Sequence, residues 1–308
     1  MVTSATPTPC PTSNDVFVRG TYVEFGLHHI ANSFGSDGPA PADFHVKTGG
    51  YTHLPQHKES LGFVADYGRD GWTVGSPPFS GDYFVPGQPF EGWAVEFDGN
   101  AYENAGMEGR VDILPESDTL VSSDGVVTWV GQQGDLRITQ QSSIYDGDSS
   151  TLGLEVTVTL TNVGSADLTN VCYSRNVDPD QEQPWTTNYD THNSIYYQPT
   201  VPEGIDGEPN PGSAFASVVA TGVQHRNLVQ VMLTADPRVR VHSGRSNTRT
   251  PCTQSADRAV PPGSASRRPS CSSSPLLRVP LLPRASAACA GAGRLRYPRR
   301  ERPKGLRL

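Results

Sequence analysis

Apolar and polar side chains take turns along residues 152–180. Leu154, Val156, Val158 and Leu160 are apolar, and Glu155, Thr157, Thr159 and Thr161 between them are polar. Period two marks a strand with one buried and one wet face, whereas a helix needs apolar residues three and four apart. The β-branched run from Val156 to Thr159 is stiff at χ1 and suits a pleated surface. Residues 162–167 are rich in turn formers, with Gly164 free to take positive φ, and 168–175 alternate again. The spacing predicts a β-hairpin of 154–161 against 168–175. A lone hairpin is marginal in water, so further strands must cover it.

The same pattern recurs in short pieces. It predicts a first strand over Val16–Ile30 and others at 61–65, 93–97, 111–114, 119–121, 126–130, 136–140, 194–198, 215–221 and 228–234. Gly and Asp breaks punctuate them. Strands at this spacing imply an all-β fold, an antiparallel β-sandwich, with a supersandwich as its larger form. Long Gly/Pro loops interrupt the strands at 32–50 and again at 66–93, where aromatics are dense and helix is excluded by the Pro and Gly spacing. No amphipathic helix and no internal repeat stand out.

Composition sharpens the boundaries. The 308 residues include 31 Gly and 27 Pro, which suits a loop-rich β protein. No apolar run approaches the roughly 18 residues of a membrane span. Residues 1–238 carry 9 Lys and Arg against 30 Asp and Glu, and residues 239–308 carry 15 against 2. A body at −21 and a tail at +13 therefore lie behind the formal net charge of −8. A body this acidic repels nucleic acid and anionic membranes. The tail is Arg-, Ser- and Pro-rich without alternation, a composition that stays unfolded. Its Arg bias with one Lys reads like a shifted frame or a mis-joined exon; a basic arm is the alternative. The expected organisation is a disordered 1–15, an acidic β domain over 16–238 and a disordered tail over 239–308.

Five cysteines are present, two of them, Cys10 and Cys172, in the body. Without a C-x-x-C pair neither a zinc knuckle nor a redox motif is indicated. A Cys10–Cys172 disulfide fits an exported protein, and a buried free Cys172 is the plainer reading. The first fifteen residues lack the basic start and apolar segment of a secretory leader.

Three groups of residues carry candidate chemistry. Trp72, Tyr83, Phe84 and Trp93, with Asp70 and Asp82, form a candidate carbohydrate-binding set, because flat apolar rings suit pyranose faces; the competing reading makes these rings core. Asp178, Asp180 and Glu182 alternate after a strand and supply three oxygens toward a Ca²⁺ site, or else a solvated turn paired to Arg175. Gln183 stands where the EF-hand pattern wants Gly. His53 and His57 are four apart, but Pro55 spoils the helix that would join them; with His45, His28 and His29 they make a weaker metal candidate. Nucleophile-elbow, zinc-protease, phosphate-loop and dinucleotide patterns are absent.

The runs LGFVADYGRDGW and GDYFVPGQPFEGW, followed by VTVTLTNVGSADLTNVCYSRNVDPDQE, resemble β-sandwich modules of large secreted bacterial surface and adhesin proteins. The resemblance covers about residues 16–235 and implies a secreted or cell-surface, non-enzymatic module for adhesion or carbohydrate binding. The V-x-V-x-x-T-L-T-N strand is also similar to those of the mutarotase-like supersandwich, which implies a carbohydrate-active enzyme using His and Glu; no such pair is placed here.

Overall fold

A computed structural model describes residues 6–9, 14–46, 59–72, 82–85, 91–117, 120–122, 124–145, 152–182, 189–197, 216–224, 229–234, 240–243 and 273–278. The described chain is all-β and antiparallel throughout, with four sheets and no α-helix. The first sheet runs in order through β1 (Thr6–Pro9), β2 (Val16–Arg19), β3 (Val23–Leu27) and β4 (Phe63–Ala65). The expected single strand over 16–30 is thus a hairpin. Gly20 N donates to Val23 O at 2.8 Å and reverses the chain, so Val16 faces Leu27 across the ladder.

The next sheet has the order β11-β10-β9-β8, from β8 (Leu120–Val121), β9 (Val127–Gln133), β10 (Leu136–Tyr145) and β11 (Gly153–Asn162). On β10, Leu136, Ile138, Gln140 and Ser142 are buried, while Arg137 and Gln141 are exposed. On β11, Glu155, Thr157, Thr159 and Thr161 are exposed and the apolar partners between them are covered. The alternation is as expected, but the partner is not. β11 pairs with β10 over ten rungs, from Leu136↔Asn162 to Tyr145↔Gly153, instead of folding onto the strand that follows it.

That following strand, β12 (Cys172–Asn176), belongs to a third sheet with β5 (Gly92–Phe97), β6 (Asn100–Ala105), β7 (Arg110–Val111), β16 (Arg240–Ser243) and β17 (Ser273–Arg278), in order β16-β17-β12-β5-β6-β7. The turn residues predicted a reversal and instead make a crossing. Asn162 Oδ1 accepts Gly164 N at 2.9 Å and its Nδ2 donates to Ala166 O at 2.7 Å. Asp98, in the β5–β6 turn, then accepts Thr169 N at 2.7 Å and Thr169 Oγ1 at 2.8 Å. The chain is caught beside β5, and Cys172↔Glu96 opens the new ladder. The β5–β6 hairpin, turned by Asp98 and Gly99 at positive φ, was not predicted.

The fourth sheet is β13 (Thr191–Tyr197), β14 (Ala216–Gly222) and β15 (Val229–Thr234). Three segments toward the chain ends carry strands where none was expected. β1 pairs with β2, and the tail strands β16 and β17 pair with each other and, through β17, with β12.

Burial concentrates where the sheets share side chains. Trp93, Val95 and Tyr173 from the third sheet close on Trp129, Leu136 and Ile138 from the second, all at most 2% exposed. Fully burying side chains of this size contributes about 1.5–3 kcal/mol each. A second cluster joins Val18, Phe25 and Leu27 of the first sheet to Phe34, Phe84 and Val127. Cys172 is disulfide-bonded, which overturns the free-thiol reading; the other four cysteines lie outside the described residues.

Candidate functional site

The aromatic candidates separate into buried and half-exposed groups. Trp93 is fully buried, donates Nε1–H to Ala31 O at 2.8 Å and meets Trp129 edge-on. Tyr83 and Phe84 pack on Phe63, and Phe84 also reaches Phe34. Asp82 is buried beneath them. Burial pushes its carboxyl up, against the amides of Gly62, Phe63, Phe84 and Val85, which donate to it at 2.7–3.2 Å. A carboxylate holding four backbone amides is a staple for its loop. Trp93, Tyr83, Phe84 and Asp82 therefore do not line a ligand platform, because the core takes their surfaces.

Trp72 and Asp70 sit elsewhere, on the turn that follows β4. Asp66 is fully buried, and its carboxylate gathers that turn: Oδ2 accepts Gly71 N at 2.9 Å and Trp72 N at 3.1 Å, and Oδ1 accepts Asp70 N at 3.4 Å. Arg69, Gly71 and Trp72 all hold positive φ, at 54°, 90° and 67°. Glycine tolerates this region, but a left-handed conformation costs roughly 1–2 kcal/mol for a residue with a Cβ. At a bulky aromatic this conformation is a genuine outlier.

The result is a half-buried indole lying flat on the His45 ring, 4.3 Å away and 4° from parallel, with Nε1 donating to Thr21 O at 3.3 Å. Below it are Phe17, Phe44, Leu61 and Val64. The same turn carries exposed Tyr67 and Asp70, and Arg69 over the Tyr22 ring at 5.3 Å. A second buried carboxylate, Glu24, holds the opposite side: it accepts His45 N at 2.7 Å and pairs with His45 Nδ1 at 2.9 Å and Arg19 Nε at 2.6 Å.

The three carboxylates of the acidic triplet are not brought to metal-ligating distance of one another. Glu182 is fully buried, and its Oε2 accepts Val223 N at 3.0 Å and Gln224 N at 2.9 Å, tying this segment to the end of β14. Asp180 interacts instead with Asp178 and Asp190, and burial, aided by those two charges, pushes its carboxyl up to about 8. Among the described residues, the side chains brought to metal-ligating distance of one another are Asp15, His28 and His29, not Asp178, Asp180 and Glu182. Of the other histidines weighed, His45 belongs to the Trp72 surface, and His53 and His57 lie outside the described residues.

Asp15 was missed because Val16–Ile30 reads as one strand, which would set residues 15 and 28 far apart. The β2–β3 hairpin makes Asp15 and His28 the next positions beyond the Val16↔Leu27 rung. Asp15 is buried, yet its carboxyl is lowered: burial raises it, and the amides of Gly38 and His29 and the His29 ring outweigh that. Its Oδ2 accepts Asp37 N at 2.8 Å and Gly38 N at 2.9 Å; its Oδ1 accepts His29 N at 3.0 Å and lies 3.0 Å from His29 Nδ1.

Glu91 and Arg175 form the charged centre of the interior. The guanidinium grips both carboxylate oxygens, donates Nη1–H to Gln140 Oε1 at 3.0 Å and lies over the Phe34 ring at 4.7 Å. Tyr173 Oη donates to the same Gln140 oxygen at 3.2 Å. Burial raises the Glu91 carboxyl against the Arg175 charge. This arrangement spends Arg175 on Glu91, so it does not pair with Asp178 or Asp180 as a turn would need. No helix among the described residues is long and apolar enough to cross a membrane. Comparison of the chain with protein-family models, with curated proteins and with solved structures finds no match.

Proposed function

We propose that the chain is a non-enzymatic extracellular or cell-surface module that binds carbohydrate or mediates adhesion, and that the Trp72 turn is its ligand face. The observation that carries this reading is the Asp66 clamp on three amides, which holds a tryptophan in a costly left-handed conformation at a half-exposed position. A strained aromatic held by a dedicated buried carboxylate suits recognition, since a pre-ordered ring loses little entropy on binding. Tyr67, Arg69 and Asp70 beside it supply the polar groups that sugar hydroxyls need. A disulfide at Cys172 suits an oxidising compartment.

The test is a glycan array with the full chain, followed by titration of any hit against Trp72→Ala. Binding should weaken roughly tenfold or more, the scale of a lost ring-stacking contact. A hit that Trp72→Ala binds equally well, or no hit at all, sinks the assignment.

A further inference from the structure

We propose that Asp15, His28 and His29 form a binding site for one divalent transition-metal ion of the zinc type. The hairpin register alone brings the three together from either end of β2 and β3. A carboxylate oxygen of Asp15 and one nitrogen from each imidazole lie within 4.8 Å of one another. Two ligands of a tetrahedral ion at 2.0–2.1 Å are about 3.4 Å apart. Asp15 Oδ1 and His29 Nδ1, at 3.0 Å, are close to that already, and a small inward turn of the second ring closes the set.

The surroundings fix the ligands. The Asp15 carboxylate is oriented by the Asp37 and Gly38 amides through Oδ2, which leaves Oδ1 against His29. The His28 ring is pressed against Gly106, where an added Cβ would stand 2.3 Å from its Cγ. Gly106 is itself held by Ser33 Oγ, which accepts its N–H at 2.9 Å. The His29 ring stacks on His28 at 5.3 Å and 12°, and its side chain is 31% exposed, so an ion has a path in from solvent.

Two imidazoles and a carboxylate suit zinc, cobalt, nickel or copper rather than calcium or magnesium, which prefer all-oxygen shells. Three protein ligands leave a position for water. Binding has a defined cost. His29 Nδ1 exchanges its contact with Asp15 for the ion, with its proton on Nε2. His28 Nδ1 accepts Ala31 N at 3.2 Å, so His28 either gives up that bond or presents its other nitrogen.

Equilibrium dialysis of the full chain against Zn²⁺ should retain one ion per chain. Asp15→Asn and His29→Ala should each weaken it by more than the roughly 10–100-fold typical of losing an outer-shell partner. Retention unchanged in both variants, or none by the native chain, overturns the proposal. Co²⁺ in place of Zn²⁺ should absorb without a thiolate charge-transfer band; such a band would put the ion on cysteines and overturn it too. If neither variant folds, the native chain decides. Zn²⁺ must then shift the imidazole ¹⁵N resonances of His28 and His29, and shifts confined to other histidines defeat the assignment.

Discussion

Asn32 holds a φ of 52°, buried, with its carbonyl accepting Arg175 Nη2 at 3.4 Å and its side-chain Nδ2 without a hydrogen-bond partner. Asn32→Gly keeps the carbonyl, removes the unpaired amide and relieves the left-handed backbone, so it should be neutral to stabilising by up to about 1 kcal/mol. Asn32→Val puts a β-branched residue in the same conformation and should cost at least about 2 kcal/mol. Urea melts of the pair check the sign, and equal losses in both would remove backbone conformation as the cause. Gly62 is the reverse case. An added Cβ would stand 2.7 Å from Asp82 Oδ1 and 2.9 Å from Phe84 Cβ, so Gly62→Ala should destabilise by about 1–3 kcal/mol through overpacking, read in the same melts.

At the scale of elements, the period-two pattern identified β11 and β12 but could not say what each pairs with. Leu154, Val156, Val158 and Leu160 look the same whether β10 or β12 lies alongside. What distinguishes the two in the folded chain includes Asp98, which takes hold of Thr169 from 71 residues upstream. The same limit hid the metal candidate: Gly20 splits a convincing fifteen-residue alternation, and only the resulting register sets Asp15 beside His28. Aromatic density singled out 66–93, yet sequence gives no way to tell Trp72, half-exposed on a clamped turn, from Trp93 in the interior. Paired cysteines test the ladder directly. Thr139 faces Thr159 on the exposed side of β10 and β11, so Thr139→Cys with Thr159→Cys should cross-link on mild oxidation. Thr159→Cys with Asn170→Cys, opposed in the hairpin the sequence suggests, should not. The opposite outcome would reassign the sheet.

Over the whole molecule, buried ionisable groups pull stability in opposite directions with pH. Burial chiefly, with His29 adding to it, lowers His28 below its ordinary 6.5, against the charges of Asp15 and Asp37. The folded state then binds fewer protons than the unfolded one, so this contribution is whole above about 6.5 and is lost as pH falls. Asp15, lowered from 3.8, adds a further loss only once pH falls below about 3.8. Asp180, raised to about 8, acts the other way: its contribution is whole below 3.8 and declines as pH rises toward 8. Asp82 and Glu91, both raised, share its sign. Asp180→Asn should flatten the decline between pH 5 and 8 in urea melts, and an unchanged slope would remove Asp180 as its source. A chain ending at Arg238 lacks β16 and β17 and leaves β12 as a bare sheet edge. Size-exclusion chromatography should show it self-associating where the full chain does not. The bond at Cys172 has one more implication. Its nearest possible partner in sequence, Cys252, is roughly 80 residues away. Whichever cysteine it joins, the covalent ring therefore restricts the unfolded chain by about 4–5 kcal/mol on the loop-entropy scale. Dithiothreitol should accordingly lower the melting temperature, so that the fold endures in one redox climate and loosens in the other.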